Sequence, residues 1–274
     1  MKIQIAVIMS VYKADSPKFV KQSIDSLLCQ SLPSYIYVDV DGIVSDDLIF
    51  CLKEYESIDN VFITYHEKNI GLAGRLNGII ERIVSSKTIM YIARMDADDI
   101  SFSKRFESQV GFLLENKNVD VVGSDVIEID SVGNEVFYKK MDAPHDLLYK
   151  NIIKKCPFNH PTVMFRISIF KEGFRYKESL LNTQDYYLWV DLLAAGKIFA
   201  NVGFPLLYFR VDEGFHNRRG WNKAVNDLKA RLYAFRNLKV MTAGNIIHTI
   251  LLFILRVSPV FVKKLAYKKL RKGY

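Results

Sequence analysis

The chain has 274 residues, half of them hydrophobic, enough to bury a sizeable core as one large domain or two small ones; a single domain with an appended tail is expected. Its formal charge of +8 is concentrated in Arg256, Lys263, Lys264, Lys268, Lys269, Arg271 and Lys272, leaving a near-neutral body without the basic, aromatic-studded stripe of a nucleic-acid binder. Cys29, Cys51 and Cys156 are widely spaced and form no C-x-x-C pair, which argues against a disulfide framework and a thiolate zinc site and fits a reducing cytosol.

In chain order, the apolar run Ile3 to Met9 comes first and reads as a buried strand, because it lacks the small-residue cleavage site of a signal peptide. Ser16 as a cap and Pro17 at the first helical position open a helix with Val20, Ile24, Leu27 and Leu28 at helical spacing. Tyr35 to Asp41 alternates, so Ile36, Val38 and Val40 share one face and leave Asp39 and Asp41 on the other, where the strand ends at Gly42. Ser45, Asp46 and Asp47 start a second helix with Leu48, Leu52 and Tyr55 inward, and Val61 to Tyr65 is the next strand. After a glycine-containing loop, Leu76, Ile79, Ile80, Ile83 and Val84 mark a third helix.

The strand Thr88 to Ala93 delivers the chain to Met95-Asp96-Ala97-Asp98-Asp99, and a helix from about Ser103 to Asn116 follows. Open α/β sheets bind ligands at the carboxyl ends of their strands, which is where Asp41, Gly71 and Asp96 to Asp99 fall. Beyond Val119 the pattern shifts to shorter strands, Val126 to Ile129 and Val136 to Tyr138 around a Ser131 to Asn134 turn, then Thr162 to Phe165. A helix from about Thr183 to Ala195 ends at Gly196.

Near the C-terminus the apolar stretch Ile246 to Val262 is interrupted by His248, Arg256 and Pro259, leaving far fewer than the ~20 residues a spanning helix needs. Beside so many basic residues it reads as an amphipathic element lying on an inner-leaflet membrane surface, the plainer alternative being a solubilising helix end.

Asp96 and Asp98, two apart in an extended segment, point the same way and suit a hard cation that keeps substrate phosphates among its ligands. An isolated D-x-D is more often a turn ahead of a helix, here the one at Ser103. Asp185 lies in the first turn of a helix whose buried side is Leu188, Trp189, Leu192 and Leu193; it can act as a base on a rigid element or compensate the helix dipole. Asn69, Gly71 and Gly74 form neither a dinucleotide fingerprint nor a P-loop.

The segments "AVIMSVYKADSPKFVKQSIDSLLCQS", "EKNIGLAGRLNGI", "ARMDADDISFSKRFESQ", "NHPTVMFR", "NTQDYYLWVDLLAAG" and "LLYFRVDEG", in that order over most of the chain, resemble family 2 inverting glycosyltransferases of the O-antigen, capsule and exopolysaccharide type. The resemblance implies that Val11 and Tyr12 line the nucleotide base pocket, Asp41 contacts the nucleoside, and Arg75 lies near the diphosphate or sugar. It also implies that Asp96 belongs to the donor site, Asp98 coordinates Mn²⁺ or Mg²⁺, and Asp185 is the catalytic base. His160 resembles a position on the acceptor side, a structural hydrogen-bond partner being the alternative. Arg218 and Arg219 could clamp a diphosphate or be solvated surface.

Two departures stand out. Val40-Asp41 replaces a common aspartate pair, so Asp39 could take part of that contact or serve in a cap or salt bridge. Gln184 stands where an acidic residue often precedes the base, leaving Asp185 as the motif's carboxylate.

The expected whole is an α/β, GT-A-like single domain with a mixed, mostly parallel central sheet flanked by helices, over residues 1–240, with a nucleotide-sugar half to about 120 and an acceptor half beyond, and a basic amphipathic tail at 241–274. The expected activity is inverting transfer of one hexose or N-acetylhexosamine from a nucleotide sugar, of the UDP-glucose or UDP-galactose type, to an undecaprenyl-diphosphate-linked or oligosaccharide acceptor. The protein is expected in the cytoplasm, peripherally bound to the inner face of the membrane. The rival readings are a sugar nucleotidyltransferase, which needs a glycine-rich basic loop where "MSVYKADSPKF" stands, and a non-catalytic membrane-surface protein.

Overall fold

The computed structural model describes residues 4–180, 182–211 and 221–258. The apolar runs of the first half become β1 (Ile5–Tyr12), β2 (Tyr35–Asp41), β3 (Val61–His66) and β4 (Tyr91–Arg94), separated by α1 (Pro17–Leu28), α2 (Asp46–Lys53) and α3 (Gly71–Val84). Helical crossovers add β2 and then β3 on one side of β1 and return the chain to place β4 on its other side, so β1 pairs in parallel with β2 and β4, and β2 with β3. Ile36, Val38 and Val40 share a cluster with Val20, Ile24 and Leu48, while Ala6, Ile8 and Ile92 join Leu76, Ile79 and Ile80 of α3 on the opposite face. Ser16 sits at the α1 N-cap without a side-chain cap bond, leaving Pro17 to set the first turn; Ser45 does cap α2, accepting from the Leu48 N–H at 3.4 Å.

The second half adds β5 (Ile100–Ser101), α4 (Arg105–Glu115), β6 (Val121–Ile129), β7 (Glu135–Lys139), α5 (His145–Asn151), β8 (Met164–Arg166), α6 (Ser168–Lys171), α7 (Gln184–Ala194), β9 (Phe199–Arg210), α8 (Trp221–Asn237) and α9 (Ala243–Val257). One sheet runs through both halves in the order β3-β2-β1-β4-β8-β6-β9-β5, with β7 paired to β6. β8 reverses the sheet, lying antiparallel to β4 and β6, and β9 runs parallel to β6.

Several boundaries differ from expectation. β4 starts at Tyr91, not Thr88, and β6 reaches back to Val121; β8 is short because residues 160–162 coil into a 3-10 turn. β9 was hidden because Gly203, at φ +82°, and Pro205 break its alternation, and its pairing with β6 is bulged there.

Trp189 anchors α7: it is fully buried, stacked on Phe165 with ring centroids 5.7 Å apart and edge-on to Phe158 at 5.0 Å. α9 is joined to α8 by an Arg256–Asp227 ion pair of 2.6 Å. Among the described residues no helix is long and apolar enough to cross a membrane. The basic run Lys263 to Lys272 lies outside the described residues.

Candidate active site

At the carboxyl end of β2, the Asp41 carboxylate accepts the N–H groups of Ile70 and Gly71, each at 2.9 Å, and Arg75 Nε at 2.7 Å. It caps the N-terminus of α3 and neutralises Arg75, both residues being buried. Gly42 turns the chain at φ +87° so close to Asn69 that a Cβ would stand 3.1 Å from it. Asp39 is spent elsewhere: buried on the α3 side, it pairs with Arg82 and with His66 Nε2, the latter at 2.9 Å. Val11 is wholly buried in the core, whereas Tyr12 is exposed and donates its N–H to Asp15 Oδ2 at 2.8 Å.

β4 ends in Arg94, whose fully buried guanidinium pairs with the one-third-exposed Asp96 carboxylate. Asp98 is exposed, and Asp99 is buried with Oδ1 accepting the Arg210 N–H at 2.8 Å. The Arg210 side chain donates from Nε to the Asp98 carbonyl at 2.9 Å and lies over the Phe19 ring at 4.0 Å. Desolvation, reinforced by the Asp96 charge, pushes Asp98 up to about 6 and Asp99 well above the carboxylate range. Asp15 rises to about 7, first by desolvation and then by the charges of Asp98 and Asp96, against the Tyr12 N–H that lowers it.

Such crowded carboxylates favour a cation, and their donor atoms are all hard oxygens. Among the described residues no group of three or more His, Cys, Asp or Glu is arranged to hold a metal ion. Asp96 and Asp98 are the carboxylates at this loop that could contribute oxygen ligands to a hard cation.

On the acceptor half, Asp185 occupies the first turn of α7. Thr183 just before it is, among the described residues, the one non-glycine with positive φ, at 66°, a strained turn that launches the helix. Burial raises the Asp185 pKa and the Asp96 charge adds to it, while the Tyr186 N–H lowers it. His160 Nε2 and the Tyr176 hydroxyl are 2.9 Å apart. Burial, aided by Arg94, holds His160 well below its usual pKa, so it is a neutral partner at pH 7. Burial raises the Tyr176 pKa, and the charges of Arg94, Asp185 and Asp96 act on it as well.

The structure places Asp96 and Asp98 in the loop after β4, Asp185 in the first turn of α7 and His160 in the 3-10 turn before β8, and gives Asp41 and Arg75 to a clip at the start of α3. Arg218 and Arg219 lie outside the described residues. Asp15, Arg94, Tyr176 and Arg210 were missed as site residues, although all but Tyr176 stand inside the segments that carried the resemblance; a charge at a strand end was the available signal.

A parallel α/β half ending in an acidic loop, continued by a mixed half in the same sheet, is an architecture of the GT-A type. A model of the family described as "Glycosyl transferase family 2" matches residues 6–174, and the chain belongs to that family. It is similar to the amylovoran biosynthesis glycosyltransferase AmsE of Erwinia amylovora, 31% identical over 274 residues, covering 98% of this chain and 99% of the relative. It is 29% identical over 275 residues to the Escherichia coli UDP-Gal:alpha-D-GlcNAc-diphosphoundecaprenol beta-1,3-galactosyltransferase, covering 99% and 98%. In fold it resembles S. aureus TarS 1-349 in complex with UDP-GlcNAc, with a TM-score of 0.68 at 16% identity, covering 93% of this chain and 72% of that one.

Proposed function

We propose that this glycosyltransferase is metal-dependent and inverting, and moves one hexose or N-acetylhexosamine from a UDP-sugar to a sugar on an undecaprenyl-diphosphate carrier. The observation that carries the reading is that α7, whose first turn bears Asp185, packs through Trp189 on Phe165 of β8, the strand paired with the β4 that leads into Asp96 and Asp98. The end-to-end likeness to an E. coli enzyme named for a UDP-Gal donor and a diphosphoundecaprenol acceptor supports the choice of substrates.

In this reading Asp185 takes the proton of the acceptor hydroxyl as that oxygen attacks the anomeric carbon from the face opposite the leaving nucleoside diphosphate. Its raised pKa strengthens it as a base while α7, fixed by Trp189, holds it in place. Asp96 orients the donor and Asp98 holds Mg²⁺ or Mn²⁺, which when bound compensates charge on the departing diphosphate. His160, neutral and bonded to Tyr176, lines the acceptor side.

We place the enzyme at the inner face of the cytoplasmic membrane. Ile247, Ile250, Leu251 and Ile254 are more than half exposed on α9, and residues 228–274 contain eleven lysines and arginines and no acidic residue. Apolar burial with attraction to anionic lipid is the pairing that holds peripheral proteins on bilayers.

The test is UDP release from a panel of UDP-sugars with a synthetic GlcNAc-diphosphate-lipid acceptor, in Mn²⁺ or in EDTA, for wild type and Asp98→Ala. Turnover that needs the metal and is lost in the variant supports the reading. Turnover undiminished by EDTA overturns metal dependence, and silence with every UDP-sugar overturns the donor assignment.

A further inference from the structure

Arg94 has no part in the roles assigned above, yet it is a wholly buried charge beside the acid loop. It closes β4 two residues before Asp96, and its side chain is wholly buried.

Two neighbouring arginines have every guanidinium nitrogen hydrogen-bonded. Arg105, equally buried, gives Nε to Gln109 Oε1 at 3.1 Å, Nη1 to Met95 Sδ at 3.4 Å and Nη2 to the Arg94 carbonyl at 2.8 Å. Arg210 likewise donates from all three nitrogens, to the Asp98 and Asp130 carbonyls and to Gln22 Oε1. Arg94 gives Nη2 to Asp96 and leaves Nε and Nη1 buried without a hydrogen-bond partner.

A guanidinium retained for stability alone would have its donors filled, because a desolvated N–H without an acceptor is worse than an apolar side chain of the same shape. What remains to account for Arg94 is its charge and its one bond, both directed at the acid loop. That charge also acts on Asp15, Asp98, Asp99, His160 and Tyr176.

We propose that Arg94 is a positioning residue for sugar transfer: sealed from substrate itself, it holds the Asp96 carboxylate from below in the orientation that receives the donor. Asp96, whose side chain is 33% exposed, can reach a ligand and Arg94, at 0%, cannot, so Arg94 acts through Asp96. This rests on reading Asp96 as a donor contact.

A double-mutant cycle tests it, with Arg94→Met, Arg94→Lys, Asp96→Asn and the double variant Arg94→Met/Asp96→Asn. Each is measured for kcat and KM with the UDP-sugar, for UDP affinity by calorimetry in EDTA, and for thermal unfolding. Arg94→Met is expected to lower kcat/KM by roughly 10- to 100-fold, Arg94→Lys to recover part of the loss, and the double variant to be no worse than Asp96→Asn alone.

Arg94→Met within twofold of wild type, or a double variant whose loss is the product of the single losses, overturns the proposal. If Asp96→Asn keeps wild-type kcat/KM and UDP affinity, the donor role of Asp96 fails and the proposal with it; a multiplicative cycle with an impaired Asp96→Asn overturns the proposal alone. Should Arg94→Met not fold, Arg94→Gln, which keeps an N–H donor without the charge, replaces it in the cycle under the same criteria.

Discussion

Asp99 accepts the main-chain N–H of Arg210 at 2.8 Å and so closes the acid loop that follows β4 onto the last residue of β9, 111 positions further along the chain. The acid loop and the end of β9 are locked together there. The Arg210 side chain extends the lock to the carbonyls of Asp98 and Asp130 and to Gln22.

Arg210→Met should therefore cost both stability and activity. Losing four hydrogen bonds from a charged group predicts a drop of about 2–4 kcal/mol in urea unfolding, with a fall in turnover from a loosened Asp98. Unchanged turnover in a folded variant would show that the loop does not depend on this lock.

Asp39 gives a contrasting case. It is 1% exposed and held by Arg82 and His66, so Arg82→Ala should destabilise the fold by about 2 kcal/mol while leaving KM for the UDP-sugar within twofold. A large rise in KM with little change in unfolding would return Asp39 to the donor site.

The raised pKa of Asp15 predicts a pH dependence of stability in metal-free protein. A carboxyl whose folded pKa, about 7, exceeds its unfolded value of 3.8 binds more protons folded than unfolded, so its contribution falls as pH rises between those values. Asp15→Asn removes that penalty while keeping an acceptor for the Tyr12 N–H. The variant should exceed wild type in melting temperature most at about pH 8, and the gap should narrow as pH falls and close only near the unfolded value of 3.8. A gap that does not change with pH contradicts the assignment.

The parts of the fold legible in the sequence were those written in one period. β2, α1, α3 and α7 follow uninterrupted apolar spacing, and their predicted faces are the buried ones. β9 was not legible because Gly203 and Pro205 break its alternation, nor was the sheet reversal at β8, which depends on pairing between distant strands. The candidate site divides in the same way. Asp96, Asp98 and Asp185 stand in recognisable local contexts, whereas Tyr176 reaches the site through a hydrogen bond to His160, and Arg94 through burial that no local pattern records.

The α9 face makes a separable prediction about the membrane. Ile250→Glu with Ile254→Glu should abolish sedimentation with vesicles containing anionic lipid yet spare turnover of a water-soluble acceptor. Binding that survives the substitutions, or a change in oligomeric state with no vesicle binding in wild type, would assign that face to another occupant.

The central claim, that Asp185 is the base of an inverting transfer, is tested most directly by the pH profile of kcat/KM with the lipid-diphosphate acceptor, measured beside Asp185→Asn and with the anomeric configuration of the product determined. An ionised Asp185 is required, so activity should fall as pH drops through a pKa above the ordinary 3.8; the variant should lose roughly 10²–10⁴-fold in kcat while still binding UDP, and the product should be inverted. Turnover in Asp185→Asn close to wild type, or a product of retained configuration, would contradict it.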